Sequence, residues 1–134
     1  MKKYPNVAVK IIFKYKDRLV LLLHKNGAYS FPGGRMKYGE SLFKALNREL
    51  KEELNFTLEK MPKLFDVWDY IAKNKRRHSV FIYYIYHLDK KPKFSSPEGH
   101  KILWLTKKNL ESSKIIKDKK FLDKIFYKES GNSI

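Results

Sequence analysis

Apolar positions near the start of the chain predict two strands joined by a short turn. Along residues 6–14 apolar side chains alternate with others, a period typical of a strand. Residues 14–18 are polar and predict the turn. The continuous apolar run at 19–23 predicts a second strand at 19–24, buried on both faces, which closes a hairpin. The Asn-Gly pair at 26–27 is a turn signal, and Pro-Gly-Gly at 32–34 is expected to break regular structure and to start a loop.

The clearest helix is predicted over residues 41–54. Its apolar positions recur at intervals of three and four residues and form one stripe, made of Leu42, Ala45, Leu46, Leu50 and Leu54. Glu40 and Ser41 suit the N-terminal end, where the helix dipole favours negative charge and a hydroxyl can cap. Asn55 suits a left-handed residue just past the C-terminal end.

The second half of the chain reads as strands followed by a helix. Longer strands are predicted at 57–70 and 78–88, and a short one at 101–105. A second amphipathic helix is outlined by Ile115, Ile116, Phe121, Leu122, Ile125 and Phe126. Residues 130–134 are expected to be frayed. This order of elements predicts the α/β class, with a mixed sheet covered by helices.

Length and composition favour one domain over residues 1–134. The chain has no cysteine, so a disulfide framework and cysteine-based metal sites are excluded. No apolar stretch approaches the roughly 20 residues of a membrane span, so no membrane partner is expected. The charged start has no apolar signal-peptide core behind it. A cytoplasmic enzyme, as a monomer or a homodimer, fits these features.

The net charge of +16 is the unusual bulk property. It favours anionic partners such as nucleotides or RNA. The lysines are nevertheless scattered, with short clusters only at 73–77 and 117–120. A biased genome composition would give the same picture. RNA therefore stays open as a partner beside a nucleotide-like small molecule.

Three glutamates stand on one face of the predicted helix. Glu49, Glu52 and Glu53 are spaced at i, i+3 and i+4, so their Cβ atoms lie within about 5–6 Å of one another. Like charges this close repel, and a cation would neutralise them. Oxygen ligands without His or Cys favour Mg²⁺ or Mn²⁺ over Zn²⁺. For these three residues alone, an ordinary solvated helix face is the more common explanation.

Such a metal site would suit attack on a diphosphate. Mg²⁺ is usually held by one or two carboxylates, waters and substrate phosphates. There it neutralises phosphoryl oxygens and lowers the pKa of a bound water. A neighbouring carboxylate can orient that water or take its proton. The preceding Gly33-Gly34 pair lets the backbone approach a metal or phosphate closely.

The wider spacing resembles the Nudix box. That pattern is Gly, five residues, Glu, seven residues, Arg-Glu-aliphatic, any residue, Glu-Glu, any residue, Gly, aliphatic. The matching positions are Gly34, Glu40, Arg48, Glu49, Leu50, Glu52 and Glu53. Asn55 replaces the usual glycine and Phe56 the usual aliphatic, and neither change touches a carboxylate. The Phe-Pro-Gly-Gly segment at 31–34 and the flanking strands are also similar to the family.

The resemblance implies an α/β/α sandwich with a mixed sheet, in which the box forms a loop, a helix and a loop. It implies that Glu49, Glu52 and Glu53 bind divalent metal, with the Gly33 carbonyl as a possible further ligand. It also implies that Arg48 pairs with a carboxylate such as that of Glu40 and holds the loop.

The catalytic base is left open among Glu49, Glu53 and Glu98. Many family members supply an extra carboxylate from a loop after the box, and Glu98 lies where that residue would be, both as a metal ligand and as a base. An ordinary solvated loop glutamate is the alternative. Arg35 and Lys37 lie in the box loop, where cations could meet phosphate.

Recognition of a base would need an aromatic platform. The candidates are Tyr29, Phe31, Trp68, Tyr70, Phe81 and Tyr83. Aromatic residues at alternating strand positions are more often core. The four histidines, at 24, 78, 87 and 100, have no ligand spacing and are interpreted as ordinary strand and loop residues.

These features together predict a Mg²⁺-dependent pyrophosphohydrolase of the Nudix type. It would cleave a diphosphate linkage in a nucleoside di- or triphosphate or a related nucleotide. Removal of diphosphate from the 5′ end of RNA is an alternative. A non-catalytic module that binds nucleotide or RNA is another, although binding an anion does not call for three clustered negative charges.

Overall fold

The computed structural model describes residues 4–113, 115–116 and 118–127, which form a mixed sheet with helices. The elements, in chain order, are β1 (Asn6–Tyr15), β2 (Arg18–Leu23), β3 (Tyr29–Ser30), β4 (Gly33–Arg35), α1 (Leu42–Leu54), β5 (Lys63–Ile71), β6 (His78–His87), β7 (Lys101–Thr106), α2 (Lys107–Ser112) and α3 (Lys119–Phe126). Within the described ranges, no helix is long and apolar enough to cross a membrane.

The strands form one sheet in the order β3-β2-β1-β6-β5, while β4 pairs with β1 and β7 with β2. β1 and β6 run parallel, and the other pairs are antiparallel. β1 meets β2 only near the turn, at Lys14↔Leu19 and Tyr15↔Arg18. The first half of β1 pairs with β4 instead. This arrangement brings the Gly-Gly segment into the sheet.

Helices cover both faces of the sheet. On one face, Val9, Ile11 and Phe13 of β1 pack under the apolar stripe of α1. On the other face, Ile12 packs in the cluster that includes Phe121 of α3. Side chains alternate along a strand, so one strand serves both cores. The α/β/α sandwich expected from the resemblance is therefore the observed fold.

Local signals place the ends of α1 correctly. The Ser41 hydroxyl accepts a hydrogen bond from the Lys44 amide at 3.1 Å. Asn55 is left-handed, with φ 52°, and its amide bonds back to the carbonyls of Leu50 and Lys51. Leu19 through Leu22 of β2 are buried, as the continuous apolar run predicts.

Two predictions about strands are wrong. The strand predicted from residue 57 begins at Lys63, because Leu58 is buried beside α1 and both its backbone groups bond to the Asn47 side chain, at 2.6 and 3.3 Å. The loop expected at 32–34 contains β4, which takes its partner from a distant part of the chain. Such pairing leaves no local signal.

The C-terminal helices also differ from the prediction. α2 was not predicted, although Thr106 and Asn109 form a capping box at its start. α3 contains Phe121 to Phe126 but not Ile115 and Ile116, which lie in a bend before it. The tail at 130–134 lies outside the described residues.

Candidate functional site

The acidic face of α1 lies directly against β4. Glu53 is buried, with 7% of its surface exposed, and its Oε1 accepts a hydrogen bond from the Gly33 amide at 2.7 Å. Glu49 is partly buried. A Cβ on residue 34 would lie only 2.6 Å from the atoms of the Glu49 carboxylate, which is too close for a side chain to fit there. Glycine at position 34 is therefore what lets the strand and the carboxylate meet.

Burial sets the electrostatics of these two carboxyl groups. It raises the pKa of Glu53 to about 7, against the lowering effects of the Gly33 amide and the Lys10 charge. Burial also raises the pKa of Glu49, although Arg48 opposes it. Burial therefore disfavours the ionised form of both carboxyl groups, and a further cation nearby would favour it.

Arg48 fastens the loop after β4 to the helix. Its Nε donates to Glu40 Oε2 at 2.6 Å and its Nη2 donates to Glu40 Oε1 at 2.9 Å, so the two side chains form a bidentate ion pair. Nη2 also donates to the Arg35 carbonyl at 2.8 Å, and Nη1 to Glu49 Oε1 at 3.1 Å. The structure thus brings Arg48 and Glu40 together, as the resemblance implies.

The Glu40 carboxylate accepts hydrogen bonds from two residues, Arg48 and Lys37. Besides Arg48, the Lys37 amide donates to its Oε1 at 2.7 Å. The Arg48 hydrogen bonds, followed by this amide, lower the pKa of Glu40 to about 2. The same bonds to Glu40 raise the pKa of Arg48. Glu40 is therefore a fixed anion that shapes the loop.

Glu52 and Glu98 are more open to solvent. The side chain of Glu52 is 46% exposed, and its Oε1 lies 3.7 Å from Arg48 Nη1. Glu98 is 45% exposed in the loop before β7, and its Oε1 lies 3.2 Å from His100 Nε2. Glu98 is nonetheless near enough for its charge to raise the pKa of Glu53. The fold thus brings this loop to the site.

These oxygen donors suit a hard divalent cation, but in this arrangement each has another partner. Glu53 binds the Gly33 amide, Glu49 binds Arg48, and Glu98 lies against His100. Within the part of the chain that the structure describes, no three His, Cys, Asp or Glu side chains are gathered closely enough to hold a metal ion.

Lys10 is a site residue that the sequence analysis missed. Its Nζ donates to the carbonyls of Phe31 and Gly33, at 3.0 and 3.3 Å. In the sequence it is one lysine among many, and only its place within an apolar strand sets it apart. Its partner strand β4 was not predicted, so its neighbours could not be identified.

Two histidines also meet beside the site. The rings of His24 and His100 lie 4.3 Å apart between centroids, and His24 Nε2 lies 2.6 Å from the Ser30 hydroxyl. Burial, followed by the His100 and Lys10 charges, lowers the pKa of His24. Their distant sequence positions gave no ligand spacing, and only the pairing of β2 with β7 makes them neighbours.

A row of residues crosses the sheet from the box loop to the edge strand. Arg35, Ala8, Phe81 and Trp68 are neighbours on β4, β1, β6 and β5. The Trp68 ring is stacked on that of Tyr83, with centroids 5.6 Å apart and an angle of 12° between the planes.

The aromatic candidates divide by exposure. Phe31 and Tyr83 are buried core residues. Trp68, 41% exposed, offers an open ring at this end of the sheet, and Tyr29 and Tyr70 are exposed too. Arg35, which was expected in the loop, ends β4, and Lys37 lies in the loop after it; both are exposed. Arg35 and the exposed ring of Trp68 therefore lie at the same end of the sheet.

Helices on both faces of a mixed sheet, with an acidic helix face against a Gly-Gly strand, define an α/β protein with a candidate site for cations. A family model described as the NUDIX domain matches residues 3–126. The chain belongs to the Nudix family.

Individual relatives agree with this assignment. The chain is 32% identical over 94 residues to the ADP-ribose pyrophosphatase of Methanocaldococcus jannaschii, a match covering 63% of this chain and 55% of that protein. It is 29% identical over 96 residues to the 8-oxo-dGTP diphosphatase of Buchnera aphidicola, covering 72% and 74%. The crystal structure of a MutT NUDIX hydrolase from Burkholderia pseudomallei matches with a TM-score of 0.71 and 25% identity, covering 92% of this chain and 99% of that one. The match to the Methanocaldococcus protein thus spans only about half the length of that protein.

Proposed function

We propose that this chain is a Mg²⁺-dependent pyrophosphohydrolase that cleaves a diphosphate linkage in a nucleotide-like substrate, with Mn²⁺ as a possible substitute. The observation that carries the proposal is the acidic face of α1, formed by Glu49, Glu52 and Glu53, of which Glu49 and Glu53 pack against the Gly33-Gly34 segment. Membership of the Nudix family and the diphosphatase names of two relatives support it.

The proposed metal ligands are Glu49, Glu52, Glu53 and Glu98, with the Gly33 carbonyl. They are all oxygen donors, the set that Mg²⁺ and Mn²⁺ prefer. The raised pKa values of Glu49 and Glu53 fit a site completed by a cation. When bound, the metal would neutralise phosphoryl oxygens and acidify a water.

The chain's own residues would then orient the reaction. Arg48 and Glu40 hold the loop at 35–40 against the helix, so the exposed Arg35 and Lys37 are presented for phosphate. Gly34 leaves room for the Glu49 carboxylate.

One of Glu49, Glu53 and Glu98 would take the proton from the attacking water. Glu53 has a pKa near neutrality, which suits a base. Glu98 is the more exposed of these groups and the more accessible to water. Separate Gln variants of the three, each followed across pH, would identify the base by loss of the acidic limb of the kcat profile.

The test of the whole proposal is turnover with Mg²⁺ in the wild type and in Glu52→Gln. Glu52 is half exposed, so its loss should leave the fold intact. Glu59→Gln is the matched control, because Glu59 is an exposed glutamate beyond the helix. The panel would include nucleoside triphosphates, dinucleotides, nucleotide sugars and 5′-triphosphate RNA, with products identified.

We expect Glu52→Gln to lower kcat by roughly 10-fold to 100-fold, the range for disturbed metal sites, and Glu59→Gln to match the wild type. Unchanged turnover in Glu52→Gln would contradict the proposal. Tight nucleotide or RNA binding without turnover in any of the proteins would instead support a non-catalytic module.

RNA with a 5′ diphosphate or triphosphate is a second candidate substrate. The basic turn at 73–77 joins β5 to β6 at the end of the sheet where β1 pairs with β4. The basic turn therefore lies at the same end as Arg35. A strand of RNA leaving the site there would meet cations, which contribute salt-dependent affinity. Turnover of 5′-triphosphate RNA that falls in Arg76→Ala/Arg77→Ala, while mononucleotide turnover persists, would support this candidate.

A further inference from the structure

Lys10 and Glu53 bind the backbone carbonyl and the backbone amide of the same residue, Gly33. Lys10 Nζ donates to the Gly33 carbonyl, while Glu53 Oε1 accepts from the Gly33 amide. Lys10 Nζ also donates to the Phe31 carbonyl. The segment that precedes the box is thus fixed from both sides, by a cation from β1 and an anion from α1.

The surroundings of the Lys10 ammonium are those of a cation site. An ammonium has three donors and no acceptor, and both of its bonded partners are carbonyl oxygens. Burial lowers the pKa of Lys10, and the nearby charges of Glu53 and Glu49 oppose that effect. A charged side chain is expensive to bury without such compensation.

Lys14 gives an internal comparison. It lies on the same strand and the same face, because four residues separate it from Lys10 along β1. Its ammonium is 5.5 Å from the centre of the Phe126 ring, on α3, rather than beside the carboxylates. Strand position alone therefore does not explain the contacts of Lys10.

We propose that Lys10 is a built-in cation of the carboxylate site, which orders the Phe31–Gly34 segment in the metal-free protein and opposes binding of a divalent ion. This inference rests on the proposed function, since it assumes that the carboxylates bind metal. Lys10 already engages the Gly33 carbonyl, and its positive charge repels a second cation at the same carboxylates. A lysine here would keep the site assembled, but with weakened affinity for metal.

The test is Mn²⁺ binding to metal-free protein without substrate, measured by electron paramagnetic resonance and by calorimetry. Lys10→Met should bind Mn²⁺ about 10-fold or more tightly than the wild type, because a unit positive charge beside the Gly33 carbonyl, one of the proposed metal ligands, is removed. The rise in Tm on adding Mn²⁺ should also be larger. Lys14→Met should behave as the wild type.

Hydrogen exchange gives a second readout. The amides at 33 and 34 should exchange faster in metal-free Lys10→Met than in the wild type, and the difference should disappear with saturating Mn²⁺. If Lys10→Met fails to fold, Lys10→Gln replaces it, since an amide side chain removes the charge but can still donate to a carbonyl.

The outcomes separate this inference from the proposed function. If the wild type binds Mn²⁺ and Glu52→Gln does not, the metal site is real. In that case, unchanged or weaker Mn²⁺ binding by Lys10→Met overturns only the role of Lys10. A raised KM with unchanged Mn²⁺ affinity would make Lys10 a substrate contact and would also overturn the inference. If the wild type binds no Mn²⁺, both proposals fail.

Discussion

The carboxylate of Glu49 occupies the space in front of Gly34 where a side chain on residue 34 would stand. A Cβ there would lie 2.6 Å from the carboxyl carbon and both oxygens of Glu49. The close approach of β4 and α1 therefore depends on the absence of a side chain at this position.

Gly34→Ala should displace the Glu49 carboxylate without unfolding the protein, because the end of a Glu side chain can move. The hydrogen bond from Arg48, 3.1 Å long in this structure, should be lost with it. We expect turnover to fall by at least about 10-fold, a typical cost of misplaced groups near a metal, while Tm changes by a few degrees.

Steady-state kinetics and thermal unfolding would check this expectation. Glu49→Gln should lose a similar factor, and the double variant Gly34→Ala/Glu49→Gln should lose little more, since both changes remove one group. Full activity in Gly34→Ala would show that the position of Glu49 is unimportant.

The stability of the metal-free protein should depend on pH through Glu53. Burial raises the pKa of Glu53 from 4.5 to about 7, so the folded state holds its proton more tightly than the unfolded state does. Stability contributed by this group is therefore greatest below about pH 4.5 and is lost as pH rises through 7. The change amounts to about 3 kcal/mol in the free energy of unfolding.

Urea unfolding of the wild type and Glu53→Gln at about pH 5 and about pH 8 would isolate the contribution of Glu53 to the free energy of unfolding. Other groups titrate in both proteins, so the difference between the two proteins is the quantity of interest. That difference should shift in favour of the Gln variant at the higher pH, and saturating Mg²⁺ should reduce the shift. A difference that stays constant across pH would contradict the prediction.

Trp68 should contribute to substrate affinity more than to the chemical step. It is an open aromatic ring in the row that includes Arg35, and stacking a base on such a ring is worth about 1–3 kcal/mol. Trp68→Ala should raise KM for nucleotide substrates by roughly 10-fold to 100-fold, with kcat nearly unchanged. Inorganic or sugar diphosphates without a base should be affected much less.

Val67→Ala is the control for Trp68. Val67 neighbours Trp68 on β5 and is also exposed, but its side chain points to the opposite face of the sheet. It should leave KM unchanged. An equal effect of both substitutions would mean that the loss reflects damage to β5 rather than lost stacking.

Asn55→Gly should stabilise the fold without changing activity. Asn55 stands just past α1 with φ 52°, a conformation that glycine adopts without a side-chain penalty. The expected gain is about 0.5 kcal/mol in the free energy of unfolding, measurable by urea unfolding. Destabilisation would indicate that the Asn side chain has a role that its exposed position does not reveal.

The sequence alone determined α1 and the arrangement of its functional groups. Helical periodicity, the Ser41 cap and the Asn55 stop act over a few residues, so they are legible in the chain itself. The same spacing placed Glu49, Glu52 and Glu53 on one face. The longer box pattern further implied the pairing of Arg48 with Glu40, which the structure contains.

Tertiary structure alone decided what faces those groups. β4 exists because residues 33–35 pair with β1, and that pairing delivers Gly33 to Glu53 and Lys10. The start of β5 at Lys63 follows from Leu58 being held beside α1 by Asn47. Contacts between residues far apart in the chain depend on the packing of the whole sheet, and no local pattern encodes them.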